Sequence, residues 1–125
     1  MVNADKDKAS KDEPNWDKVP VITDTQSYYL IAIEAIQNEI KERPTVNLFT
    51  EVTERTTGTT SPALKELEDL KLIKRRKIGR EVTQKLTPLG KHAIQKWIRD
   101  NDAEEDYKEL FKKHAEKIRE LQGKI

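Results

Sequence analysis

Residues 61–86 change from the apolar spacing of a helix to the alternating pattern of a β-hairpin. Ser61 is a preferred N-cap residue and Pro62 is favoured at the first helical position, so a helix is predicted to begin here. Its inward-facing residues recur at helical spacing, and they are Ala63, Leu64, Leu67 and Leu70. This helix is predicted to end near Lys71, immediately before the hairpin pattern.

The hairpin is predicted from three consecutive segments. Residues 73–77 form one strand, residues 78–80 a tight turn, and residues 81–86 the return strand. Helical patterns lie on both sides of this unit. The predicted fold is therefore mainly α with a small β-hairpin, in the α+β class.

Two helices are predicted before this unit. The first runs over residues 24–41, where apolar residues recur at spacings of three and four and Pro44 bars further helix. A short second helix lies within residues 46–55. Gly58 is predicted to end that second helix in a left-handed conformation.

Two more helices are predicted after the hairpin. Thr87 and Pro88 repeat the pair of N-cap and first-position residues, and they begin a helix that runs to Arg99. Residues 100–106 hold five acids, which form either a loop or the acid-rich start of a last helix. That last helix is predicted to continue to about Gln122.

These patterns divide the chain into three parts. Residues 1–22 are predicted to form a flexible N-terminal arm, because most of this stretch alternates charges with few apolar groups. Residues 23–100 hold the helices and the hairpin of a single folded domain. Residues 101–125 hold the last helix.

Basic residues are concentrated in the middle of the chain. The formal net charge of the whole chain is only +1. Residues 55–99, however, hold twelve Lys and Arg against four Asp and Glu, and the remainder has an acidic excess. Such asymmetry indicates one face that suits an anionic partner.

Several function classes are excluded by the composition. The chain has no cysteine, so disulfides, thiolate nucleophiles and cysteine-based metal sites are excluded. No apolar run approaches the ~20 residues of a membrane span. The two histidines, His92 and His114, belong to no catalytic or metal-binding motif. We therefore predict a soluble protein that is not an enzyme and has no cofactor, metal or membrane partner.

Two segments carry a family resemblance. Residues 62–75 read PALKELEDLKLIKR, with leucines three apart that run into leucine, isoleucine and two basic residues; residues 85–91 read KLTPLGK. Together they resemble the recognition helix and the wing return of winged helix-turn-helix regulators of the MarR, PadR and HxlR type. The resemblance implies that fold, with extra N- and C-terminal helices, and double-stranded DNA as partner. Lys71 departs from the pattern, because relatives usually have glycine there.

The resemblance implies that the recognition helix enters the major groove while the wing contacts phosphates or the minor groove. The predicted DNA-binding residues are Thr59, Thr60, Ser61 and Lys65 on the helix and Arg75, Arg76, Lys77 and Arg80 on the wing. A basic run is often only a solvated surface, and residues 59–61 also suit a turn or a helix cap. Both alternatives stay open at this point.

The last helix has an apolar seam at heptad-like spacing. One interpretation is a two-fold interface that it builds with the first helix, and the predicted dimer residues are Tyr29, Ile33, Tyr107, Leu110, Phe111, His114, Ile118 and Leu121. The other is that it folds back on the first helix of its own chain. We favour the dimer, because the winged unit needs little more than the first helix to close and leaves the last helix without a cover.

The leading hypothesis is a homodimeric, sequence-specific DNA-binding transcriptional regulator. We expect a repressor that occupies a promoter in the cytoplasm and is associated with the nucleoid. One alternative is a plasmid, viral or chromatin architectural, replication or partition factor on the same fold. Another is a winged-helix protein–protein module, which the acids on the recognition helix favour and the basic wing opposes. The sequence identifies no small-molecule effector.

Overall fold

The computed structural model describes residues 15–40 and 46–123. A short 3-10 turn precedes the main elements, which are α1 (Asp24–Ile40), α2 (Val46–Thr53), α3 (Thr57–Asp69), β1 (Ile73–Ile78), β2 (Glu81–Leu86), α4 (Pro88–Asn101) and α5 (Glu104–Gly123). The strands β1 and β2 form a two-stranded antiparallel sheet. The predicted fold class, mainly helical with a small hairpin, is confirmed. Residues 1–14 of the predicted arm and Lys41 of the predicted first helix lie outside the described residues.

The helix α1 lies at the centre of the core. Six of its side chains, on every side of the helix, have no exposed surface, and they are Leu30, Ile31, Ala32, Ile33, Ala35 and Ile36. A helix that is apolar all round must be covered all round. The cover comes from α2, α4, α5 and β2, all of which contact α1.

The helix α5 covers α1 of its own chain. Ile118 is fully buried, and the Tyr107 hydroxyl donates to Glu34 of α1 at 2.7 Å. Nearer the other end of α5, the Arg119 guanidinium lies 2.8 Å from the carboxylate of Glu39. The expectation that the last helix has no cover in its own chain is wrong, because α1 is apolar on the side that the winged unit leaves open. A dimer through these helices stays a prediction.

The exit of α3 has the geometry of a glycine cap without a glycine. Lys71 has a φ of 64°. The Leu72 N–H donates to the Leu67 carbonyl at 3.0 Å and the Lys71 N–H to the Glu68 carbonyl at 2.8 Å, which is a Schellman arrangement. Lys71 therefore adopts the left-handed conformation itself, at a cost of about 1–2 kcal/mol.

The start of α3 lies earlier than predicted. Glu54 has a φ of 57° and ends α2, so Gly58 does not end that helix and has no left-handed conformation; that prediction is wrong. The helix α3 begins at Thr57 with Thr56 as its N-cap residue. Pro62 consequently lies inside the helix instead of at its first position.

Thr87 joins α4 to the exit of α3. Its Oγ1 accepts from the Gly90 N–H at 2.9 Å, so the predicted cap of α4 is confirmed. The same hydroxyl donates to the carbonyls of Lys71 and Leu72, which lie 2.8 and 3.0 Å away. A Cβ on Gly90 would lie 2.1 Å from the Leu72 carbonyl oxygen. The threonine and the glycine together fix the base of the hairpin against α4.

The described part of the N-terminal arm packs on α4. Val19 and Ile22 are buried in the core. The Lys96 ammonium donates to the carbonyls of Trp16 and Val19 at 2.6 and 3.0 Å, and the Arg99 guanidinium lies 4.5 Å from the centre of the Trp16 ring. These contacts tie the chain before α1 to α4.

Candidate nucleic-acid interface

The helix α3 presents a narrow polar surface to solvent. Thr59 and Lys65 are exposed and Ser61 is half-buried, so these three predicted residues remain accessible. Thr60 differs, because it is fully buried and its hydroxyl lies 3.3 Å from the Thr50 hydroxyl of α2. With α3 starting at Thr57, position 60 falls on the side that packs against α2. Thr60 is therefore not on the exposed surface of α3, where it was predicted to contact DNA.

Acidic side chains share this surface with Lys65. Glu66 and Asp69 are exposed, and the Gln26 side-chain amide of α1 donates to the Glu66 carboxylate. Leu70, predicted to face inward, is 37% exposed, because the helix has ended and Leu70 is its C-cap residue. The cation on α3 is thus flanked by anions, which would repel a phosphate group brought close to this surface.

The beginning of α3 also lies next to a cation. The N-cap Thr56 makes no cap hydrogen bond through its side chain, and helix N-termini suit anionic groups. Arg55, one residue earlier, is exposed and lies 5.6 Å from the centre of the Tyr28 ring. Burial raises the pKa of the Tyr28 hydroxyl, and the charge of Arg55 opposes that rise.

The hairpin has a two-residue turn, Gly79-Arg80, one residue shorter than predicted. The φ of Gly79 is 62°, which suits the first position of a type II′ turn. The register is therefore shifted by one residue from that of a three-residue turn. Lys74 lies opposite Lys85, whereas the longer turn would place it opposite Gln84.

The hairpin cations are divided between its two faces, because successive strand residues point to opposite sides. Arg75 and Lys77 alternate with the buried Ile73 and share its face; Arg75 is half-buried and Lys77 is exposed. Arg76 projects from the other face and Arg80 lies in the turn, and both are exposed. Three of the four predicted wing residues are thus directly accessible.

The predicted dimer residues lie along the seam between α1 and α5 of one chain. Four of them are buried core residues, namely Tyr29, Ile33, His114 and Ile118. The other four are half-buried, namely Tyr107, Leu110, Phe111 and Leu121. Only the half-buried set retains apolar surface that a second copy could cover.

A cleft of about 390 Å³ opens between α1, α4 and α5, with Gln37 and Phe111 in its lining. Tyr107 and Glu34 share a hydrogen bond at its edge, and burial, together with that bond, raises the pKa of the Tyr107 hydroxyl. In the part of the chain that the structure describes, no three metal-ligating side chains converge. Within the same ranges no helix combines the length and apolarity needed to cross a membrane.

Two residues of this surface were not singled out from the sequence. Lys85 was missed because its position depends on the register, and the signal that would have found it is Gly79, which suits the first position of a two-residue turn. Glu66 was missed because its partner Gln26 is distant in sequence. No local pattern indicates that contact.

No protein-family model and no curated protein matches this sequence. A Staphylococcus aureus MepR–DNA complex matches at 24% identity, covering 82% of this chain and 76% of that one, with a TM-score of 0.56. Two mutant MepR structures from multidrug-resistant S. aureus each match at 25% identity. They cover 99% and 98% of this chain and 88% and 84% of theirs, with TM-scores of 0.54 and 0.56.

MepR is a transcription regulator of the S. aureus multidrug efflux pump MepA, and this chain spans 66 to 88% of the length of the MepR chains. The resemblance to winged helix-turn-helix regulators of the MarR type is confirmed by these matches. In that fold α3 occupies the position of the recognition helix, and the hairpin β1–β2 is the wing.

Proposed function

We propose, from the fold shared with the transcription regulator MepR, that this chain is a sequence-specific regulator that binds double-stranded DNA as a homodimer. The observation that carries the proposal is that Lys65 on α3 and the wing cations Arg76, Lys77 and Arg80 are all exposed to solvent. The solved complex of MepR with DNA supports it. The chain would act as a repressor by occupying a promoter.

Each element has a distinct part in the proposed mechanism. The major groove is wide enough to admit α3, where Ser61 and Lys65 would reach base edges. The wing cations would contact phosphates, which supplies affinity and orientation but little sequence information. Residues 23–100 would then form the DNA-binding domain and residues 101–125 the dimerisation helix.

Titration of a labelled duplex at rising salt concentration tests the proposal. Binding by the parent should weaken steeply, because each neutralised phosphate releases about one counterion. Changing Arg76, Lys77 and Arg80 together to Ala should weaken binding to all sequences alike and lower the logarithmic salt slope by about three. Changing Ser61 or Lys65 to Ala should instead alter the preference among sequences. Unchanged binding by the triple variant would rule out the wing contacts.

The homodimer is supported by the apolar surface that α5 leaves half-buried, including Leu110 and Phe111. Two copies related by a two-fold axis would place their α3 helices about one DNA turn apart, ~34 Å, and would favour a pseudo-palindromic site. Deleting α5 is a poor test, because Ile118 and His114 belong to the core of the single chain.

A charged substitution on the half-buried surface tests the dimer without removing the core. Leu110→Glu should give a monomer in sedimentation equilibrium while the parent gives a dimer, since burying the new carboxylate would be costly. Lys112→Glu is the matched control, because Lys112 is exposed on the same helix, and it should remain dimeric. A monomeric parent would contradict the proposal.

One observation favours a second candidate, a winged-helix protein–protein module. Glu66 and Asp69 flank Lys65 on the exposed side of α3, and such acids suit a basic protein surface. A folded parent that binds no duplex at low salt would favour this candidate. Equal affinity for every duplex sequence would instead favour an architectural, replication or partition role.

A further inference from the structure

We infer that the outer face of the hairpin, formed by Lys74, Lys85 and Arg76, binds the phosphate backbone of duplex DNA, with one phosphodiester held between the ammonium groups of Lys74 and Lys85. This inference rests on the proposed DNA-binding function and adds the pair Lys74 and Lys85 to the wing contacts already proposed for Arg76. The contact lies on the flat of the hairpin, whereas the wing contacts expected from the sequence centre on the turn at Arg80.

The register brings the two lysines together. Lys74 and Lys85 are direct partners in the antiparallel pair, and Arg76 is paired with Thr83 two positions along. Residues directly opposite each other have Cβ atoms about 4.5–5.5 Å apart, and their side chains leave the sheet on the same face. Because each ammonium ends a flexible four-carbon stem, the two can flank a single phosphate.

The neighbouring pair fixes which face the lysines occupy. Ile73 and Leu86 are the next direct partners, and they are only 2% and 4% exposed. Strand alternation places Lys74 and Lys85 on the opposite face, where both are exposed although Thr83 on the same face is buried. A register slip would move the buried pair to the solvent side, so the outward position of the lysines is strongly specified.

The free protein leaves these two charges uncompensated. Both lysines are exposed, and neither forms an ion pair with any residue in the described ranges. Like charges directly opposite each other destabilise a sheet. A bound anion between them would relieve this repulsion, so the arrangement favours a ligand with one phosphate at that spacing.

The site lies at the base of the hairpin, close to α3. Lys74 is five residues beyond the end of α3 at Asp69, and Ile78 at the turn lies four positions further along the strand, about 13 Å away. Lys85 is two residues before Thr87, whose hydroxyl donates to the exit of α3. The phosphate bound there would belong to the backbone beside the groove that α3 enters.

A set of charge-reversal variants distinguishes a phosphate-binding site at Lys74 and Lys85 from an exposed surface that binds nothing. Lys85→Glu places an acid opposite Lys74, so the Tm should rise by about 1–4 °C while the Kd for a labelled mixed-sequence duplex weakens about tenfold. Lys74→Glu should give the same pair of effects. The double variant has like charges again, so its Tm should return towards that of the parent while its affinity falls still further.

Lys112→Glu on α5 makes the same change in net charge and is the matched control. Its Kd for the duplex should stay within about twofold of the parent value if long-range charge is screened. If Lys85→Glu binds the duplex as the parent does, or if the control loses as much affinity, the inference is overturned while the DNA-binding proposal stands. A folded parent that binds no duplex at low salt would overturn both.

Discussion

Gly90 and Gly58 are both helical residues, and their surroundings differ sharply. A Cβ on Gly90 would meet the Leu72 carbonyl oxygen at 2.1 Å and a Leu86 methyl group at 2.8 Å. At Gly58 the nearest atom would be the Thr56 hydroxyl, at 3.9 Å. The first glycine permits the close approach of α4 to the hairpin base, whereas the second occupies open space at the start of α3.

We expect Gly90→Ala to lower the free energy of unfolding by about 1–3 kcal/mol, because backbone must move to accommodate the methyl group. Gly58→Ala is the matched control and should raise it by up to about 1 kcal/mol, since alanine favours helix. Urea unfolding of both variants measures the difference. Equal effects of the two substitutions would contradict the close packing at Gly90.

His114 is a titratable group inside the core. It is 1% exposed, its ring centre lies 4.8 Å from that of Tyr28, and its Nε2 has no hydrogen-bond partner among the described residues. Burial lowers the pKa of His114 from its ordinary value of 6.5 to about 4. The imidazole is therefore neutral in the folded chain at pH 7.

This lowered pKa makes stability depend on pH. The contribution of neutral His114 is complete above the unfolded pKa and is lost as pH falls through 6.5 towards 4, because the unfolded chain takes up the proton first. We expect a loss of about 2 kcal/mol between about pH 7 and pH 5. His114→Gln should remove this loss. Urea unfolding at both pH values measures the free energy of unfolding of the parent and of the variant. An equal loss of unfolding free energy in the parent and the variant would contradict the lowered pKa of His114.

At the scale of elements, the same capping signal predicted one helix start correctly and misplaced another. Thr87 and Pro88 begin α4 as expected, because the cap is a bond between the threonine and Gly90, three residues on. Ser61 and Pro62 carry the same signal, yet α3 begins at Thr57. The extra turn packs Thr60 against α2, a tertiary contact that capping preferences do not contain.

The register of the hairpin and the exit of α3 also depend on details that local sequence patterns did not determine. The strands were predicted from alternation, but their register depended on whether the turn has two or three residues. That single residue decides whether Lys74 faces Lys85. At the exit of α3, the usual glycine position was identified, but no local pattern indicates that Lys71 itself adopts the left-handed conformation there.

At the scale of the whole molecule, charge is distributed unevenly along the chain, and α1 is covered by elements of its own chain. The basic excess of residues 55–99 lies largely on the hairpin and α4, whereas α3 itself holds one lysine against three acids. The seam of α5 was predicted correctly as apolar, but a seam does not indicate whether it meets its own chain or a second copy. Ile33 and Ile118 are buried within one chain, so the seam of α5 does meet its own chain. The half-buried residues of α5 keep apolar surface that a second copy could cover, and sedimentation equilibrium tests whether it does.

Under the proposed function, α3 and the wing together read the sequence of a DNA duplex. Selecting bound fragments from a random-sequence duplex library with the full chain tests it most directly. We expect enrichment of one sequence with two-fold symmetry, its half-sites about one DNA turn apart. A recovered pool with the same sequence composition as the input would contradict it.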